Sequence, residues 1–236
     1  MIYDQAEFDI TCEWGIHGAH QLAPISSIII VVDVLSFSTS VEIATNNGAT
    51  VYPYRYKEEA KAYAESLQAE LALKRESGKY SLSPASLQNI PSGTKLVLPS
   101  PNGANLTLET GSTLTVAGCL RNCEAVAKFA QKFDRVAVIP AGERWEDDSL
   151  RPAFEDLIGA GAILSYLNGT LSPEAQTAIA AFNSCRGDLL NYLRKSSSGK
   201  ELIYRGYSQD VELAAAFNVS SCVPVFVESA YVNEGI

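Results

Sequence analysis

The stretch Ser27–Val34, S-I-I-I-V-V-D-V, constrains this chain more than any other. β-Branched side chains favour extended backbone, and a run with no polar face cannot lie on a solvated sheet. It predicts a central strand covered by helices on both sides. Shorter runs of the same kind occur at Thr50–Tyr54, Lys95–Leu98, Thr113–Ala117, Arg135–Ile139 and Val223–Val227. Between them the apolar period changes to three and four residues, as expected of helices at Lys57–Leu73, Arg121–Phe133 and Pro152–Leu167. Ser172-Pro173-Glu174 supplies cap, proline and acid for a helix reaching about Phe182, and Ser208–Phe217 reads as a last short one. Strand and helix alternate throughout, which predicts an α/β fold. The expected form is a three-layer sandwich with a largely parallel or mixed central sheet covered by helices on both faces. No repeat or linker interrupts residues 1–236, so they are read as one domain, with Glu76–Ser92 and Ser196–Lys200 as surface loops.

Charge narrows the partners. There are 27 acidic residues against 18 basic, a net charge of −9. A general nucleic-acid binder needs a positive field, so nucleic acid is not expected. The longest strongly apolar run, Ile28–Val32, is too short to span a bilayer, so no membrane association is expected either. Five cysteines without a C-x-x-C pair read as small hydrophobes of a reduced, cytoplasmic protein, and the first residues do not read as a signal peptide. His17 and His20 lie close to Cys12 and Glu13, but Gly15 and Gly18 predict a turn there and no second ligand pair completes a zinc site. A homo-oligomer is compatible with the sequence. The tyrosine-rich segment Tyr52–Tyr56 suits an interface, a pocket wall or an edge strand equally.

Three strand ends run into polar, turn-forming loops. In open α/β sheets ligands bind beyond the carboxyl ends of the strands, so these loops are expected to converge. The first delivers Asp33 and then Ser36, Ser38, Thr39 and Ser40 at the start of a helix, whose free amides suit an anion. The second, Pro99–Asn105, carries Asn102 and Gly103 between two prolines and a helix start. The third holds Glu143, Arg144 and Glu146–Asp148, followed by Arg151, Glu155 and Asp156 at the opening of a helix. A solvated acidic loop accounts for Glu146–Asp148 but not for Glu155 and Asp156, where an apolar helix face begins. Carboxylate oxygens suit a hard cation such as Mg²⁺, and arginine suits the remaining oxygens of a phosphate or carboxylate. Gly159–Ala162 gives that helix a small-residue face able to approach the sheet closely.

In order along the chain, E-W14-G15-x-x-G18, V-V-D33-V-L, S-P-N102-G103, A-G-C-L-R121-N122, G142-E143-R144-W, E155-D156-L-I-G-A-G161-A and G206-Y-S-Q-D210-V211 resemble the 2-phosphosulfolactate phosphatase family. The resemblance implies a Mg²⁺-dependent phosphomonoester hydrolase acting on a small, multiply anionic phospho-acid, with the hydroxy acid and phosphate as products. It implies catalytic or metal-binding roles for Asp33, Glu143, Glu155 and Asp156, with Mg²⁺ on Asp33, Glu155 and Asp156. Substrate contacts fall to Ser36, Ser38, Arg75, Asn102, Gly103, Arg121, Asn122, Arg144 and Asp210. Two departures stand out. Ser36 occupies a position where the family usually has arginine, and Leu73-Lys74-Arg75 and Ser81-Leu82-Ser83-Pro84 stand where it usually has Gly-Glu-Arg, a glycine-rich loop and Gly-Asn-Ser-Pro, keeping only Arg75 and the Ser-Pro. They describe a diverged member. Two rival expectations follow: a non-catalytic small-anion-binding or regulatory protein, and a metal-dependent hydrolase or lyase of small carboxylic acids.

Overall fold

The computed structural model describes residues 3–55, 59–76 and 78–235. Nine strands form one sheet among these residues: β1 (Ile10–Cys12), β2 (Ile28–Val32), β3 (Thr50–Tyr54), β4 (Glu70–Leu71), β5 (Lys95–Pro99), β6 (Leu114–Gly118), β7 (Val136–Pro140), and the C-terminal pair β10 (Pro224–Val227) and β11 (Ala230–Asn233). β8 (Glu143–Arg144) and β9 (Leu150–Arg151) make a separate small hairpin. Helices α1 (Gly15–Leu22), α2 (Phe37–Asn46), α3 (Ala60–Leu67), α4 (Pro84–Leu87), α5 (Gly103–Leu108), α6 (Cys123–Ala130), α7 (Phe154–Leu164), α8 (Pro173–Cys185), α9 (Leu189–Lys195), α10 (Ser197–Tyr204) and α11 (Ser208–Ala214) complete the three-layer sandwich.

The sheet order is β1-β7-β2-β6-β10-β11-β3-β5-β4. β1, β7, β2 and β6 are mutually parallel, as are β3, β5 and β4. β10 and β11 join the two blocks through three antiparallel pairings, so the blocks run in opposite directions. Every residue of β2 is buried, and alternate side chains feed different cores. Ile28, Ile30 and Val32 pack with α6, α7 and α8, whereas Ile29 and Val31 pack with α1 and Leu106 of α5. A third core lies between α2, α4, β3 and β5, where Phe37 meets Tyr231 edge-on at 6.1 Å.

The small-residue stretch of α7 works in two directions. A Cβ on Gly159 would stand 2.6 Å from Val34, and one on Gly161 would stand 2.0 Å from the Ala178 carbonyl of α8. One glycine therefore admits the sheet, as expected, and the other admits α8.

Several expected elements change. The alanine-rich helix runs only over Ala60–Leu67, because Gln68 turns left-handed at φ 51° and the chain re-enters the sheet as β4. Lys57, at its expected start, and Tyr56, at the end of the tyrosine-rich segment, lie outside the described residues. The expected turn around His17 is helix α1, with His20 bonded to Glu109 at 3.0 Å. Ser196–Lys200 is not a surface loop: Ser196 caps α10 by accepting the Gly199 amide. Glu76–Ser92 contains α4, with Ser83, Pro84 and Leu87 buried. All five cysteines are buried thiols. Among the described residues no helix is long and apolar enough to cross a membrane.

Candidate active site

Asp33 leaves the end of β2 almost fully buried. Its Oδ1 accepts the Phe37 amide at 3.1 Å and its Oδ2 the Gly103 amide at 2.8 Å, so the first turns of α2 and α5 both point at one carboxylate. Gly103 is required by this approach, since a Cβ there would lie 2.4 Å from the Phe37 ring and 2.7 Å from Asp33 Oδ2. The amides expected to cradle an anion are thus engaged by Asp33. Ser38 is also consumed locally, its hydroxyl accepting from the Asp33 amide and donating to the Val31 carbonyl.

Asp156, in the first turn of α7, fastens two strand ends together. Its Oδ1 accepts the Val34 amide at 2.7 Å and its Oδ2 the Gly142 amide at 2.9 Å. Glu155 beside it is buried and takes no part in these amide contacts. Glu143 on β8 accepts from Asn102 Nδ2 at 2.8 Å, linking the second loop to the third. Asp33, Glu143, Glu155 and Asp156 repel one another within this cluster. Burial is the main cause that raises Asp33 to about 6, against the two amides that stabilise its charge, and Glu155 adds to the rise. Burial followed by Asp33 raises Glu143 to about 7, and burial with Asp33 and Glu155 lifts Asp156 well above the usual carboxylate range.

The opposing charge is Arg75. Its Nη2 donates to Ser36 Oγ at 3.0 Å, its Nε to Asp210 Oδ2 at 3.2 Å, and the guanidinium lies 5.3 Å from the centre of the Tyr207 ring. Asp210, 1% exposed, also accepts from Ser83 Oγ and the Ala85 amide. It orients Arg75 and does not face the cleft. Asp33, Ser36, Arg75, Asn102 and Glu143 line a cavity of about 260 Å³ closed on one side by α10. Ser198, Glu201, Leu202 and Arg205 reach that wall at helical spacing, a pattern the sequence reading overlooked because serines and a glycine open the segment.

Three expected substrate contacts lie elsewhere. Arg121 donates to Glu42 Oε2 at 2.5 Å and to the Leu213 carbonyl at 3.1 Å, pinning α2 to α11. Asn122 is fully buried, accepting the Cys119 amide and donating to the Ala117 and Cys222 carbonyls. Arg144 lies on the other face of the β8–β9 hairpin from Glu143 and binds the Asp148 carbonyl at 2.9 Å.

Among the described residues, no three His, Cys, Asp or Glu side chains form a group that could hold a metal ion. The donor chemistry still fits Mg²⁺, which often takes one or two carboxylates and leaves its other positions to water and substrate. A cluster of crowded carboxylates also gains from any added positive charge.

Fold and site together define an α/β protein with an acidic strand-end centre faced by arginine side chains, Arg75 and Arg205 among them. The sequence profile described as 2-phosphosulpholactate phosphatase matches residues 16–229, and the chain belongs to that family. It is 30% identical over 205 residues to the 2-phosphosulfolactate phosphatase of Methanothermobacter thermautotrophicus, covering 85% of this chain and 87% of that one. It is 29% identical over 213 residues to a probable 2-phosphosulfolactate phosphatase of Pseudothermotoga lettingae, covering 88% and 92%. Phosphatase is therefore the enzyme class.

Proposed function

We propose that the chain is a Mg²⁺-dependent phosphomonoester hydrolase. Its substrate is a small, multiply anionic phospho-acid, 2-phosphosulfolactate or a relative, and its products are the hydroxy acid and inorganic phosphate. The observation that carries this reading is the placement of Asp33, Glu143 and Arg75 on one small cavity at a strand end. The charge balance and buried thiols support a cytoplasmic enzyme with no nucleic-acid partner.

Asp33 and Glu155 would hold the ion, which when bound polarises the phosphoryl group and stabilises its developing charge. Arg75, fixed at Nε and Nη2, would present its remaining donors to phosphate oxygens, and Ser36 adds a hydroxyl beside it. Asp156 holds the β2 and β7 loops in register. Glu143, kept in place by Asn102, would accept the proton of a water attacking phosphorus in line. Its raised proton affinity suits a base working near neutrality. As the new P–O bond forms, the bond to the substrate's alcohol oxygen breaks and that oxygen takes a proton from water. Catalysis is then positioning and charge stabilisation.

Phosphate release should be measured with 2-phosphosulfolactate and related phospho-hydroxy acids, with Mg²⁺ and with EDTA. Turnover that needs Mg²⁺ and is lost in Asp33→Asn and Glu155→Gln is expected. Calorimetric binding without release would instead favour a non-catalytic anion-binding protein.

A further inference from the structure

A second cavity, of about 430 Å³, opens on the far side of the β8–β9 hairpin and shares Asn102 with the site. Trp14, Ile16, Leu106 and Leu150 give it apolar walls, with His17 and Arg144 among its polar residues. The hairpin stands between the two cavities, which adjoin at Asn102. Its cross-strand pair Glu143 and Arg151 lies toward the carboxylates, while the next pair, Arg144 and Leu150, lies toward the second cavity. Leu150 seats where side chains are missing: a Cβ on Gly142 would lie 2.7 Å from it and one on Gly15 3.4 Å away. Both glycines have positive φ, 69° and 60°, so backbone conformation disfavours larger residues at both, and at Gly142 the contact with Leu150 excludes them as well.

The geometry points to this cavity as the subsite for an apolar, aromatic-sized substituent on the alcohol part of the substrate. The inference rests on the phosphatase reading and makes the substrate class more specific. A three-carbon phospho-acid would use only the first cavity. An apolar cavity of about 150 Å³ already admits benzene, so the second has ample room for a ring. Trp14 and Leu150 supply faces for it, and Arg144 supplies a positive charge for an accompanying carboxylate. Within the proposed class, the substrate is then a relative of 2-phosphosulfolactate whose hydroxy acid carries an aryl group.

The full-length chain should be assayed with phospholactate and with its β-phenyl analogue, phospho-phenyllactate. The phenyl compound should show a kcat/KM about tenfold higher or more, since one added apolar group in a fitted pocket is worth that much. Leu150→Ala, or Ile16→Ala should the first variant fold poorly, should bring the ratio toward one. A separate reading does not depend on turnover. The chain has 2 tryptophans, so Trp145→Phe leaves Trp14 as the sole tryptophan, excited selectively at the red edge where tyrosine does not absorb. Phenyllactate should shift its fluorescence saturably, and Leu150→Ala or Ile16→Ala should abolish the shift. Hydrolysis of phospholactate with no phenyl preference and no Trp14 response would overturn the subsite alone. A saturable Trp14 response without hydrolysis of either compound would uphold the subsite and count against the phosphatase reading.

Discussion

Two arginine–carboxylate pairs in this protein are almost equally buried. The side chains of Arg75 and Asp210 are 13% and 1% exposed, and those of Arg121 and Glu42 are 15% and 0%. Their surroundings separate them. Arg75 spends two nitrogens on Asp210 and Ser36 while lining the cavity that holds Asp33. Arg121 spends its donors on Glu42 and a backbone carbonyl, and Glu42 keeps one oxygen, Oε1, without a hydrogen bond. The same ion pair can thus prepare a cation for a ligand or tie two helices together. What decides is whether a cavity lies beside it.

The sharpest way to break this comparison is to remove each arginine. Arg121→Ala leaves Glu42 buried and unpaired, a loss of about 3–5 kcal/mol that urea unfolding would detect. Replacing both partners by apolar residues, Arg121→Met with Glu42→Leu, should recover most of it. An Arg121→Ala protein of wild-type stability would overturn the structural assignment. Arg75→Ala should lower kcat/KM by about 10²-fold or more through the lost charge opposite the phosphoryl group, with a smaller effect on stability. Asp210→Asn should follow it in direction with a smaller loss, because arginine keeps one hydrogen-bond partner but loses the paired charge.

Proton linkage tests the other side of the site. Asp33 and Glu143 both have raised proton affinities, so the folded state binds more protons than the unfolded chain. Their contribution to stability is complete below about pH 4 and is lost as pH rises through about 6 to 7. In EDTA, stability attributable to this cluster should decline by on the order of 1 kcal/mol or more across that range. Mg²⁺ should restore more of it at the alkaline end. A flat profile would show that Asp33 and Glu143 are better solvated than their burial indicates. The smallest effect is expected from Ser36→Ala, which removes one hydroxyl that accepts from the Arg75 guanidinium and should raise KM a few-fold.

These contrasts mark what the sequence discloses. The β-branched runs predict β2, β3, β5, β6, β7 and β10 to within a residue or two: β2 and β7 are buried throughout, whereas β3 buries only alternate residues. The strand-end rule likewise anticipates that Asp33, Asn102 and Glu143 meet. β1 and β4, of 3 and 2 residues, are too short to print a period. The commitment of Arg121 is hidden for a different reason, as its partner is 79 positions away along the chain. Strand direction is hidden as well, since a buried run reads the same either way. The α10 wall was legible at 198, 201, 202 and 205, but only to a reading that looked past the serines.

The reversal of strand direction governs how the molecule must assemble. Until Pro224–Asn233 inserts, β6 and β3 are two open edges, each a template able to pair with the wrong chain. The pairings that close them join segments more than 100 positions apart, such as Val116 with Val225 and Val51 with Tyr231. Long-range closures of this kind form slowly. The hairpin is therefore the point at which folding and self-association compete most directly.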